Sequence, residues 1–154
     1  MGLLNHYMGK TGFTLIEIII ALAILAITFS FALGFDIPHL RRTSFADSEH
    51  TFVAALQNAR SQAVNGICSG TCTSAVAHGV HIETNHFVEF QGNFYNPSDP
   101  QNFSHSVTSG NYFLATTDII FQPLSGDATV TTIILIGQNN SASTTITNDG
   151  EILW

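Results

Sequence analysis

The chain has 154 residues and a net charge of −7, from four Lys and Arg against eleven Asp and Glu. That length holds one domain with a real core but not two comfortable ones. Charged residues are only 10 % of the chain, against about 25 % in an average soluble protein, and so few cations make it a poor nucleic-acid binder by bulk electrostatics.

The first predicted element is apolar. Phe13 to Phe35 reads FTLIEIIIALAILAITFSFALGF, with Glu17 as its single charge. As a helix it covers about 33 Å, close to the ~30 Å hydrocarbon core of a bilayer, so the run predicts a membrane segment. Three kinds of segment share such a run. A secretory signal peptide would be cut after Ala32, at the small-residue pattern Ser30-Phe31-Ala32; its apolar region is usually about 7–15 residues, shorter than this one. In a plain signal anchor a central carboxylate costs about 2.5–3.5 kcal/mol. Glu17 lies near the start, where the cost is lower, but there it has no purpose. Lys10 precedes the run and Arg41 and Arg42 follow it, so charge alone does not orient the helix.

Lys10-Thr11-Gly12, then Phe13-Thr14-Leu15-Ile16-Glu17 and the apolar run, resembles the N-terminus of type IV pilins and type II secretion pseudopilins. The resemblance implies that prepilin peptidase cuts between Gly12 and Phe13 on the cytoplasmic side and that Phe13 becomes N-methylated. It also implies that Glu17, by then the fifth residue, pairs with the amine of a neighbouring subunit. Cleavage turns the Phe13 amide into an amine, so the carboxylate gains an opposite charge in low dielectric, where the attraction is strong. On this reading residues 1–12 are a cleaved leader and 13–37 the transmembrane and filament-core helix. Residues 38–154 are a periplasmic or extracellular head.

Gly34 and Pro38 weaken helix geometry, so a bend is expected within 34–38. A second helical stretch follows, from His39 to about Asn65, with Phe45, Phe52, Val53, Leu56, Ala59 and Ala63 forming an apolar stripe interrupted by Glu49. Gly66 is its natural stop. Leu56, Ala59, Arg60, Ser61, Ala63 and Val64 are similar to the corresponding helix of the H-type minor pseudopilins and related minor pilins. Cys68 and Cys72 flank a tight turn between helix and sheet. A disulfide outside the cytoplasm and a pair of thiols are both open to them.

Val76–Phe90 predicts a hairpin. Placing Val80 and Ile82 on the face of Val88 and Phe90 requires an odd-numbered loop, Glu83-Thr84-Asn85. That register puts His78 and His86 on one face but far apart, and the histidines read as surface residues. Asn96–Gly110, rich in Ser and Asn with two prolines, predicts a long loop. Strands are expected at 118–123, 129–136, 142–147 and 151–154, the last two joined by the hairpin turn Asn148-Asp149-Gly150. Phe121-x-Pro123 with Ser125-Gly126, and the ending Ile146-Thr-Asn-Asp-Gly-Glu-Ile152, again resemble the H-type family.

No active site is legible. Ser125 lacks the glycine two residues before it that a nucleophile elbow needs. No phosphate loop follows a strand. His105 and Asp99 share a loop but no defined geometry. No catalytic residue, metal site or cofactor is expected. The expected fold is α+β, pilin-like: a long N-terminal membrane-spanning helix whose second half packs on a C-terminal antiparallel β-sheet. The expected function is that of a structural minor pilin or pseudopilin in a type II secretion pseudopilus or type IV pilus, not an enzyme. The expected partners are prepilin peptidase, other pilins or pseudopilins and the inner membrane. The alternative is a DNA-binding minor pilin for DNA uptake, which would need a basic cluster beyond Arg41, Arg42 and Arg60.

Overall fold

The computed structural model describes residues 13–33 and 37–154. They divide into two compact units, one ending at Pro38 and the other running His39–Trp154. The first unit contains α1, Leu15–Leu33. Its described apolar side chains are exposed, from Phe13 at 79 % to Ile18 at 51 %. Among the described residues no helix is both long and apolar enough to cross a membrane. α1 is described over 19 residues, whereas the expected segment runs on through Gly34, Phe35 and Asp36. Those three, most of the expected bend, and the leader with Gly12 lie outside the described residues.

α2 spans Ile37–Val64. Pro38 falls in its first turn, where a missing N–H has no helical acceptor to lose. The helix ends in a Schellman motif: Ile67 N–H donates to Gln62 O at 2.9 Å and Gly66 N–H to Ala63 O at 3.0 Å. Gly66 sits at φ +61°, the left-handed geometry that this motif places on glycine.

Eight strands follow: β1 His78–Ile82, β2 His86–Gln91, β3 Phe103–Ser106, β4 Tyr112–Phe113, β5 Thr117–Phe121, β6 Thr131–Ile136, β7 Ser141–Ile146 and β8 Ile152–Leu153. They form two antiparallel four-stranded sheets, ordered β3-β2-β1-β5 and β4-β6-β7-β8. The single sheet expected from sequence is thus two. Residues 114–116, between β4 and β5, carry the chain from one to the other. The long loop expected at 96–110 is also shorter than it reads, since β3 lies inside it. That strand is short, Ser-rich and at a sheet edge; pairing with β2 holds it, not its own propensity.

Both sheets bury one face against α2. Phe45, Phe52, Leu56, Ala59 and Ala63 of the helix join Val80, Ile82, Phe87, Ile119 and Phe121 of the first sheet and Phe113, Ile133, Leu135 and Ile146 of the second in one core. The helix stripe includes Ser48, which is 4 % exposed. Its hydroxyl donates to Ser44 O at 3.0 Å and accepts from Asn111 Nδ2 at 3.1 Å, so the buried polar group is satisfied.

The hairpin register differs from the expected one. Glu83 N–H donates to His86 O at 2.9 Å, leaving a two-residue turn, Thr84-Asn85, with Ile82 opposite Phe87 and Val80 opposite Glu89. An even loop shifts each side chain of β2 to the other face. Phe87 therefore joins Val80 and Ile82 in the core, while Val88 and Phe90 lie on the far face. There Tyr95 packs against Phe90 with ring centroids 5.7 Å apart. Both sets are buried, so burial pattern alone could not choose the register.

Cys68 and Cys72 are joined by a disulfide with Cα atoms 6.0 Å apart. The loop is clamped by Gln91, whose Oε1 accepts from Ser69 N at 2.7 Å and whose Nε2 donates to Ser69 O at 3.0 Å. Thiol titration of native protein should find no free thiol. Replacing both cysteines by serine should cost about 2 kcal/mol, the chain-entropy value for so short a loop, and retain the fold.

Candidate functional site

The first turn of α1 is built around Glu17. Thr14 N–H donates to Glu17 Oε2 at 3.4 Å, and Glu17 N–H donates back to Thr14 Oγ1 at 3.4 Å. This is a capping box, in which the residue before the helix and the residue three on satisfy each other's orphan amides. The spacing Thr14-x-x-Glu17 is itself a capping-box signal in the sequence, so Glu17 has a local role beside the charge pair. The box holds the carboxylate at the helix start, on the amide of Thr14, the residue after Phe13. It also keeps an acidic group at the positive end of the helix dipole. Beyond Glu17 the polar residues of α1 are Thr28 and Ser30, whose hydroxyls donate back to Leu25 O and Ala26 O, so the helix offers no polar stripe to water.

In the head, the even turn assembles groups that the sequence reading kept apart. His81 and His86 now share a face with Glu83. His81 Nδ1 lies 2.5 Å from Asp118 Oδ1, on the paired strand β5, and His81 Nε2 lies 3.3 Å from Glu83 Oε1. His86 Nε2 lies 3.7 Å from Glu83 Oε2. Tyr95 stacks flat on His81, with ring centroids 4.0 Å apart. The expected pairing of His78 with His86 on one face is therefore wrong. His78 is buried on the helix side, hydrogen-bonded through Nε2 to Ile67 O at 2.8 Å, and anchors the segment leaving α2.

His105 is not a free loop residue. It lies on β3 opposite Phe87, stacks on that ring at 4.8 Å, and meets Glu89 Oε1 at 2.8 Å. Asp99 instead caps a local turn, accepting from Gln101 N at 2.8 Å. Nothing among the described residues brings His105 and Asp99 together with a nucleophile. Among the described residues no group of three or more His, Cys, Asp or Glu is placed to hold a metal ion.

The segments Phe121–Gly126 and Ile146–Ile152, distant in sequence, meet at the C-terminal end of α2. Leu124, at φ +67°, donates its N–H to Ala63 O at 2.8 Å and so satisfies the helix end. A side chain at Gly126 would meet Val64 Cγ2 at 2.6 Å, and one at Gly150 would meet Gly126 O at 1.9 Å. Arg60 reaches across and donates from Nη2 to Asp149 O at 3.1 Å. The residues that carried the resemblance in the C-terminal half thus form one packing junction between helix and sheets.

Compared with known families, residues 7–33 match the family described as the prokaryotic N-terminal methylation motif. No curated protein and no solved structure matches the chain. The matched stretch contains Gly12, Phe13 and Glu17, and its capped helix precedes an α+β head. The N-terminus of this chain is therefore a prepilin-type methylation motif, which supports a place in the type IV pilin and pseudopilin family at that coarse level.

Proposed function

We propose that the protein is a structural minor pilin or pseudopilin. Prepilin peptidase removes residues 1–12 and Phe13 is N-methylated. Residues 13–37 anchor the chain in the cytoplasmic membrane, with the head outside the cytoplasm. The helix then enters a type II secretion pseudopilus or a type IV pilus. The protein acts through assembly and carries out no catalysis of its own. The observation that carries this reading is the motif at 7–33, coupled to a helix whose described apolar surface has no cover of its own. Bilayer first, and neighbouring subunits later, supply that cover. The H-type minor pseudopilins are the relatives favoured by the resemblance at Leu56–Val64 and at the C-terminal junction. Among the described side chains of the head a DNA-receptor role draws no support, since Arg60 is engaged by the Asp149 carbonyl.

Mass spectrometry of the mature protein should show a chain beginning with methylated Phe13. Gly12→Val should leave the leader uncut, because a branched side chain obstructs close backbone approach by the peptidase. A chain beginning at Leu33 would mean a secretory signal peptide and would overturn the proposal.

Glu17 has two roles to separate. Glu17→Ala removes both the cap and the charge. Glu17→Gln keeps an acceptor for Thr14 N–H and removes only the charge. If the charge pair drives docking, both variants should be processed normally yet recover about tenfold less partner pilin on co-purification, the equivalent of ~1.4 kcal/mol. If Glu17→Gln assembles like wild type, the cap is the role that matters and the amine pairing fails.

A further inference from the structure

A cleft of about 260 Å³ opens where α2 crosses β2 and the edge strand β3. Asn58 and Gln62 line it from the helix, Glu89 and Gln91 from β2, Gln101 from the turn before β3 and Phe103 from the start of that strand. The lining holds four carboxamides and one carboxylate, with no Lys or Arg.

Its polar groups are partly fixed and partly vacant. Glu89 Oε2 accepts from Asn58 Nδ2 at 2.6 Å, and Oε1 meets His105 Nε2 at 2.8 Å. Each carboxylate oxygen is thus held in place by one protein partner and can accept a second hydrogen bond. Gln91 is occupied by Ser69. The amides of Gln62 and Gln101 make no hydrogen bond within the described residues. Phe103 is 63 % exposed, with its ring set edge-on against His105 at 4.7 Å.

This chemistry excludes several ligand classes. An anion would meet the Glu89 carboxylate with no Lys or Arg in the lining to offset it. An apolar ligand would strip water from the carboxamides without replacing their hydrogen bonds. A metal ion lacks three ligands. What remains is a neutral molecule rich in groups that both donate and accept, with one apolar face. A carboxamide presents a donor and an acceptor side by side, which matches adjacent hydroxyls. An exposed aromatic ring matches the C–H face of a sugar ring. We infer that the cleft binds a neutral carbohydrate, one sugar unit lying against Phe103 and hydrogen-bonded by Gln62, Gln101 and Glu89. The volume is just below the ~300 Å³ of the smallest drug-sized sites, which suits one unit of a chain rather than several. The inference does not rest on the N-terminal motif, so either can fail without the other.

The test uses the full chain in micelles of a zwitterionic, sugar-free detergent. Cellotriose, chitotriose and maltotriose serve as probes, followed by saturation-transfer NMR. At least one should bind saturably, with a dissociation constant at or below the millimolar level. Phe103→Ala should weaken that binding about tenfold, and Gln62→Ala about fivefold. Both variants should melt with the wild type, since neither side chain is buried in the core. Raising salt from about 50 to about 500 mM should leave binding unchanged, because a neutral ligand has no charge to screen. No saturable signal from any of the three up to about 20 mM would overturn the inference. So would binding insensitive to Phe103→Ala, or binding lost in salt.

Discussion

Gly150→Ala is expected to destabilise the head by at least about 3 kcal/mol, because two penalties add. Gly150 sits at φ +71°, where any side chain strains the backbone, and its Cβ would lie 1.9 Å from Gly126 O. That obstacle is backbone, which cannot swing aside like a side-chain tip. Relief requires the turn or the Gly126 loop to move, and Arg60 Nε of α2 crowds the same Cβ at 3.0 Å. Gly110→Ala is the control. Gly110 has φ +93° but nothing within 4 Å of its added Cβ, so it meets only the conformational cost of about 1–2 kcal/mol. Urea denaturation followed by circular dichroism compares the two. Equal midpoints would show that the junction yields to the added carbon.

Phe52→Ala should cost about 3–5 kcal/mol, a large share of the ~5–15 kcal/mol that stabilises an ordinary domain. Phe52 is 1 % exposed. Its ring meets Phe87 of the first sheet at 5.3 Å and Phe113 of the second at 4.8 Å. Truncation therefore opens a void where helix and both sheets converge, and all three elements must shift to fill it. Phe94→Ala, at a side chain 73 % exposed, should stay within about 0.5 kcal/mol. If the two variants unfold at the same urea concentration, the convergence point is not where the core is held.

Different physical causes separate what was legible in the chain from what was not. Helical elements were readable because their signals are local. An unbroken apolar run, a 3.6-residue stripe and a glycine stop each act within a few residues. The Thr14–Glu17 box is equally local, a Thr and a Glu three residues apart at the helix start. Strand positions from β5 onward were readable from β-branched runs. Pairing was not, since a strand's sequence does not say which edge it meets. Nor was β3, whose Ser-rich segment gains its conformation from β2.

The sequence by itself determined the prepilin-type N-terminus, the extent of α2 to within two residues, and the turn at Asn148–Gly150. Each depends on neighbours in the chain. Tertiary structure alone decided the two-sheet arrangement and the two-residue turn at Thr84-Asn85. With that turn came the union of His81, Glu83, His86 and Asp118 on one face. The reason is parity. Side chains alternate along a strand, so one residue more or less in a turn exchanges the faces of everything beyond it. Here each face of β2 carries a buried apolar side chain, Phe87 on one and Val88 and Phe90 on the other, which removes the contrast by which a sequence would reveal the choice.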